Sequence, residues 1–197
     1  MSVLGRSTFE KMFEAASLCR ERALDLPMLV LIYASLDTLA WAAYGHEIKE
    51  VGRRFELLCE RYVLPKSKID CTALELYAAR CSIVHSLGWE SKLSKTGKAR
   101  AVFYSVGEAD ARSAYAALNI EQPDKFVAVS ADELLSATKM AVARIIQKAE
   151  YDSALAARFA IAEGKQYLSL DTKLSEPFFE KFLETAKNSS AAPEVGS

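Results

Sequence analysis

The chain has 197 residues, with 25 Lys and Arg against 26 Asp and Glu and a formal net charge of −1. That balance excludes a global basic field for capturing nucleic acid, so any such binding must come from a local patch. The length suits one domain, the 51% of hydrophobic residues can furnish a sizeable core, and 8 Gly with 5 Pro argue against a turn-rich all-β protein and for long helices.

In chain order, Ser7 and Glu10 form a capping box for a first helix running to about Asp25, with Phe9, Met12, Phe13, Ala16 and Cys19 as its apolar stripe. Pro27 opens a second helix, where its missing N–H does no harm, and Gly45 ends it. Leu26 to Tyr44 is apolar apart from Ser35, Asp37 and Thr38, near the ~20 residues a bilayer requires. Asp37 at its centre would cost about 2.5–3.5 kcal/mol in a membrane, which favours a buried central helix over a membrane span. A third helix is expected from His46 to Val63, with Ile48, Val51, Phe55, Leu58 and Tyr62 inward and Pro65 closing it. Asp70 or Thr72 caps the fourth.

That fourth helix, Leu74 to Gly88, carries Leu76, Ala79, Ile83 and Leu87 at helical spacing, and Gly88 sits where it should stop. Beyond it, residues 91 to 107 hold Lys92, Lys95, Lys98 and Arg100 and no acid, a stretch whose plain reading is a solvated loop. Ala101–Val106 and Phe126–Val129 read as short strands with a helix between them over Glu108 to Leu118, a pair stable only when packed against the bundle. Ser130 with Glu133 makes a second capping box for a long helix, which Ala154 to Glu163 continues or restarts. Ser175 and Pro177 open a last short helix bearing Phe178, Phe179, Phe182 and Leu183. The fold expected is mainly α: one domain over 1–187, with core helices at about 7–88, a basic loop and β element at about 91–130, C-terminal helices at about 131–187, and a disordered tail at 188–197.

Cys19, Cys59, Cys71 and Cys81 form no C-x-x-C pair, and no basic-then-apolar leader opens the chain. Reduced cysteines in a cytoplasmic protein without metal or cofactor are the plain reading.

Arg80 and His85 stand out inside the apolar fourth helix, because Arg is almost never buried without a partner and the chain has only one other histidine, His46. Five residues apart on a helix, they point about 140° from each other. To meet, the long Arg must bend toward the His face, the His must lie at a helix end, or a second subunit must supply the complement. Asp37 is the expected partner of Arg80, since an unpaired carboxylate in the apolar second helix would be costly. Cys81 lies four residues before His85 on the same face and reads as a buried, inert thiol rather than a nucleophile. Trp41 and Trp89 read as core and edge packing. Lys95-Thr96-Gly97-Lys98 is not a phosphate-binding loop, since the earlier Gly and following Ser/Thr are absent.

Arg80, four residues, His85, preceded by Leu76-Tyr77-Ala78-Ala79 and followed by Ser86-Leu87-Gly88, resembles the R-x4-6-H signature of the HEPN superfamily, and the helix Ala34 to Ala40 is similar to that family's upstream helix. The resemblance covers roughly residues 27 to 90. It implies a helical bundle with the small two-stranded β element inserted after the motif helix. It also implies a homodimer whose motif helices meet across a two-fold, and metal-independent endoribonuclease activity of toxin or defence type. The site it implies is catalytic Arg80 and His85, supported by Asp37, Cys81 and Ser82, with Lys92, Lys95, Lys98 and Arg100 holding RNA; an antitoxin or defence-system protein is the implied partner. Nuclease-type members often carry a polar residue just after the Arg, where this chain has Cys81. A non-catalytic RNA- or nucleotide-binding or protein-interaction module therefore stands as the alternative, beside a purely structural Arg80 and His85.

Overall fold

The computed structural model describes residues 3–163 apart from 46, 108–112, 114, 115, 118 and 121, with side chains over 8–162 of these. These residues fall within one compact unit, Met1–Gly164. Most of the helix expected over 108–118, the helix expected at Ser175 and the tail from 188 lie outside the described residues, as does His46. The described chain is mainly helical, with a small two-stranded sheet.

Helix α1 spans Val3–Glu21. The expected Ser7–Glu10 box is therefore not its start: Ser7 sits a full turn inside the helix. Ala23, at φ 54°, reverses the chain into α2, Asp25–Tyr44. Pro27 is the third residue of α2, among the four whose N–H has no helical partner in any case. α2 is the axis of the fold, packing on α1 and on four of the helices described below. Met28, Ile32, Tyr33, Leu36 and Leu39 are fully enclosed along it. By length and composition α2 could cross a membrane; here its apolar surface is the centre of the bundle core.

The third helix is shorter than expected. Residues 48–50 are irregular and α3 covers Val51–Leu58, continued by a π-helical turn, Cys59–Val63, and a 3-10 turn, Leu64–Lys66. Pro65 has no N–H to continue the α ladder, and the widened turn leaves the Tyr62 carbonyl to Arg144, whose Nη1 donates to it at 3.2 Å. Gly52 has a specific reason: a Cβ there would lie 2.9 Å from the Tyr77 ring, so glycine is what lets α3 close on the fourth helix.

That helix, α4, spans Ala73–Ser86 and is capped by Thr72 rather than Asp70. The Thr72 Oγ1 accepts from the Glu75 N–H at 3.2 Å and the Glu75 carboxylate accepts from the Thr72 N–H at 2.7 Å, a complete capping box. The same buried carboxylate takes two bonds from Arg100, from Nε and, at 3.2 Å, from Nη2. Burial pushes the Glu75 carboxyl up, but the Arg100 bond, the Thr72 N–H and the Arg100 charge outweigh it and hold the group below the usual carboxylate range. A depressed carboxylate contributes stability that is whole above its unfolded value of about 4.3 and is lost as pH falls through its lower folded value. Glu75→Gln is thus expected to cost about 1–3 kcal/mol at pH 7 and to flatten the acid limb of a melting-temperature profile between pH 5 and 3. A variant whose acid limb matches the parent's would show that Glu75 carries none of it.

After α4 comes α5, Lys92–Lys95, then β1, Ala101–Ser105, which pairs in parallel with β2, Phe126–Ser130, in the register Ala101↔Phe126. Both strands lie where the β-branched and aromatic residues placed them. Val102, Val127 and Val129 face the core, and the Tyr104 hydroxyl meets that of Tyr33 on α2. Burial raises both phenols, so the pair stays protonated as a neutral tie between sheet and bundle.

Helix α6, Ala131–Ala149, starts at Ser130, whose hydroxyl accepts from the Glu133 N–H. The box is half of the one expected: the Glu133 carboxylate turns away and accepts from the Lys68 N–H at 3.0 Å. Asp132 beside it binds Arg20 of α1 and the Gly107 N–H, at 2.5 and 2.9 Å, fixing the end of β1. Helix α7, Ser153–Glu163, is a restart, with Asp152 accepting from the Leu155 N–H.

Candidate functional site

Arg80 and Asp37 face each other across the packed pair α2 and α4. The Arg80 Nε donates to Asp37 Oδ2 at 2.8 Å, and Nη2 donates to the same oxygen. The side chains are 12% and 25% exposed, so the pair sits at the rim of the core rather than inside it. This is the pairing expected from the cost of a lone acid in α2. Burial opposes the Arg80 charge, but the Asp37 bond and charge, with the adjoining Cys81 thiol, outweigh it and raise the guanidinium above its ordinary value. It is a fixed cation.

The third nitrogen, Nη1, lies 2.7 Å from His85 Nε2. Two of the three routes weighed for joining these residues act together within one chain. Arg80 lies about 7.5 Å below His85 along the helix axis, a span its long side chain covers. His85 is in the last turn of α4, exposed, where the backbone no longer screens it. A guanidinium has donors and no acceptor, so Nε2 must accept. His85 is thus neutral in this arrangement, with its proton on Nδ1. Asp37 grips one edge of the guanidinium and aims the other at the imidazole. A phosphate oxygen arriving at Nη1 would take over that donor and free Nε2 to accept a hydroxyl proton.

The helix ends in an unusual way. Leu87, not Gly88, carries the left-handed conformation, at φ 51°, while its N–H still bonds the Ile83 carbonyl and the Gly88 N–H reaches back to Ser82. Leu87 is 63% exposed and gains little from packing in return. Left-handed backbone costs a β-carbon residue about 1–2 kcal/mol, partly offset for glycine by its larger chain entropy. Leu87→Gly is therefore expected to raise stability by about 0.5–1 kcal/mol in denaturant titration; a loss of stability would show that the leucine side chain holds the turn.

The other anticipated site residues fall differently. Ser82 is buried and its hydroxyl donates to the Ala79 carbonyl at 2.9 Å, so it serves the helix. Cys81, half-buried and in no disulfide, touches Arg80 and Tyr77. Arg100 is engaged with Glu75 and anchors β1 to the start of α4. Lys92, Lys95 and Lys98 are exposed and have no ion-pair partner among the described residues. They do not sit on a plain loop: Ser91 caps α5, and Gly97, at φ 67°, closes it, with Lys98 N–H bonding the Leu93 carbonyl at 3.0 Å. Ser91 six residues before Gly97 was the sequence signal for that turn, and four residues is too short for apolar periodicity to register. Trp89, expected as edge packing, lies against Phe126 at the start of this segment and is 53% exposed. Among the described residues no group of three His, Cys, Asp or Glu side chains is placed to hold a metal ion.

Compared with protein-family models, curated proteins and solved structures, the chain matches none.

Proposed function

We propose that this chain is a HEPN-like protein acting as a metal-independent endoribonuclease of toxin or defence type, with Arg80 and His85 as its catalytic residues. The observation that carries the reading is the contact between Arg80 and His85, with Arg80 held from behind by Asp37. An Arg fixed in charge and direction suits a phosphate, and a neutral imidazole at a helix end suits proton transfer near neutral pH. In the reaction the 2′-hydroxyl attacks the neighbouring phosphorus and His85 accepts its proton. Arg80 stabilises the added negative charge on the phosphoryl oxygens, the bond to the 5′-oxygen of the next nucleotide breaks, the leaving oxygen takes a proton from water, and His85 returns its own proton to the solvent. The products are a 2′,3′-cyclic phosphate and a 5′-hydroxyl.

The protein works in the cytoplasm as a homodimer in which the α4 helices of two copies meet, with an antitoxin or defence-system protein as partner. The exposed Lys92, Lys95 and Lys98 hold the RNA backbone. Purified protein in EDTA is expected to shorten labelled single-stranded RNA and to scatter light as a dimer at micromolar concentration. Intact RNA from a folded dimer would favour the second reading, a non-catalytic RNA- or nucleotide-binding or protein-interaction module. Cys81 beside the guanidinium, where a polar residue is usual in nuclease-type sites, is the observation on that side.

A further inference from the structure

Four residues beyond His85 stands an aromatic cluster that the proton and phosphate chemistry does not use. The Trp89 ring packs on Phe126 of β2 at a centroid distance of 5.7 Å and a tilt of 39°, and Phe103 of β1 meets Phe126 edge-on at 6.2 Å. Phe126 is nearly covered, whereas Trp89 and Phe103 are open to solvent by 53% and 45%. Phe103 and Phe126 share the outer face of the sheet, as the register requires, with the valines on the inner face. The Lys125 ammonium lies over this group, 5.8 Å from the Trp89 centroid and 5.5 Å from that of Phe126.

An exposed indole braced from behind by a second ring is costly to keep in water and is held rigid at little further entropic cost. Its surroundings are basic. Lys92, Lys95 and Lys98 follow within ten residues on the turn that packs against α4, and Lys125 joins them, four exposed cations against the carboxylates of Glu90 and Asp124. An aromatic face beside excess positive charge is the combination that binds unpaired nucleotides, the ring taking a base and the lysines the phosphates. A span of four residues keeps the Trp89 Cα within about 14 Å of that of His85, so a base stacked on Trp89 and a phosphate at Arg80 belong to one short strand.

We propose that Trp89, braced by Phe126 and flanked by Lys125, is a base-stacking subsite, and that the substrate class is therefore single-stranded RNA, with an unpaired base beside the phosphate bound at Arg80. The inference rests on the reading of Arg80 and His85 as a phosphate site. Bases inside an A-form duplex present no face to an indole, so the platform rejects double-stranded RNA. The exposed indole also reports its own occupancy through its fluorescence.

The test uses the full chain and a labelled single-stranded 2′-O-methyl RNA, which can bind but lacks the attacking hydroxyl. Fluorescence anisotropy gives the Kd for the parent, Trp89→Ala, Trp89→Phe and Lys125→Gln, with duplex of the same sequence as comparison and thermal melts to confirm folding. Trp89→Ala is expected to weaken single-strand binding about 5- to 100-fold, Trp89→Phe to recover most of that, and duplex to bind more weakly and without regard to residue 89. Equal binding by parent and Trp89→Ala, equal or better binding of duplex, or dissociation of a dimer by Trp89→Ala with no change in RNA affinity would overturn the proposal, the last by assigning the surface to self-association. Ordinary RNA run in parallel separates the two readings. Residue-89-dependent binding with no cleavage upholds the platform and sinks the nuclease; cleavage with a Kd indifferent to residue 89 does the reverse.

Discussion

His85→Ala is expected to lower RNA cleavage by about 10²- to 10⁴-fold, the range for losing a positioned proton carrier, while melting within about a degree of the parent because His85 is exposed. His85 is the one histidine among the described residues, and its imidazole is the group that meets the Arg80 edge. Arg80→Ala should remove about 10²- to 10³-fold through lost charge stabilisation. Unlike His85→Ala it should also destabilise, since it strands Asp37 at the rim of the core. Arg80→Lys is the sharper variant: it keeps the charge but cannot hold Asp37 with one edge and reach His85 with the other. The account expects Lys to restore stability in part and activity hardly at all. Gel assays at saturating RNA give the rates, and the double variant should be little slower than either single one, because the two groups act as a unit. Cleavage that survives His85→Ala would remove the histidine from the mechanism.

The second large effect is on the fold. Asp37→Asn keeps the shape of the side chain and deletes its charge, leaving an Arg80 guanidinium that is 12% exposed without its counter-ion. Breaking such a pair from one side costs several kcal/mol in full burial; at this partly exposed rim about 2–3 kcal/mol is expected, a fall of roughly 5–10 °C in Tm for a chain of this size. Replacing both partners, as Asp37→Leu with Arg80→Met, should recover most of that stability while leaving no activity. The two variants together separate the structural work of the pair from its work on the phosphate. Asp37→Asn melting with the parent would mean that water already screens Arg80.

The helices, the strands and the pairing of Asp37 with Arg80 could be read from the chain because each rests on local or forced chemistry. Pro27 and Gly45 bracket α2, Thr72 and Glu75 write the start of α4, and a lone acid in an apolar helix has to find a cation. What escaped depends on tertiary contact. Nothing near Ser7 announces that α1 begins at Val3. The close approach of α3 to α4 rests on Gly52 meeting Tyr77, two residues on different helices. Glu133 gives up its capping role because Lys68, distant in sequence, brings it an N–H. The capture of Arg100 by Glu75 cannot be told from a free cation in a basic run. At the site, spacing alone leaves three ways for Arg80 to meet His85; α4 ends at Ser86, two residues before Gly88, which puts His85 in the last turn, where the Arg80 side chain reaches it.

The most direct measurement uses a DNA oligonucleotide carrying a single ribonucleotide, incubated with the parent protein in EDTA and compared with the same strand bearing a 2′-methoxy group at that position. Attack by the 2′-hydroxyl under Arg80 and His85 predicts one cut, after the ribonucleotide, leaving a 2′,3′-cyclic phosphate and a 5′-hydroxyl by mass spectrometry, and no cut in the methoxy strand. Cleavage of both strands, a 5′-phosphate product, or activity that disappears with the chelator would contradict it.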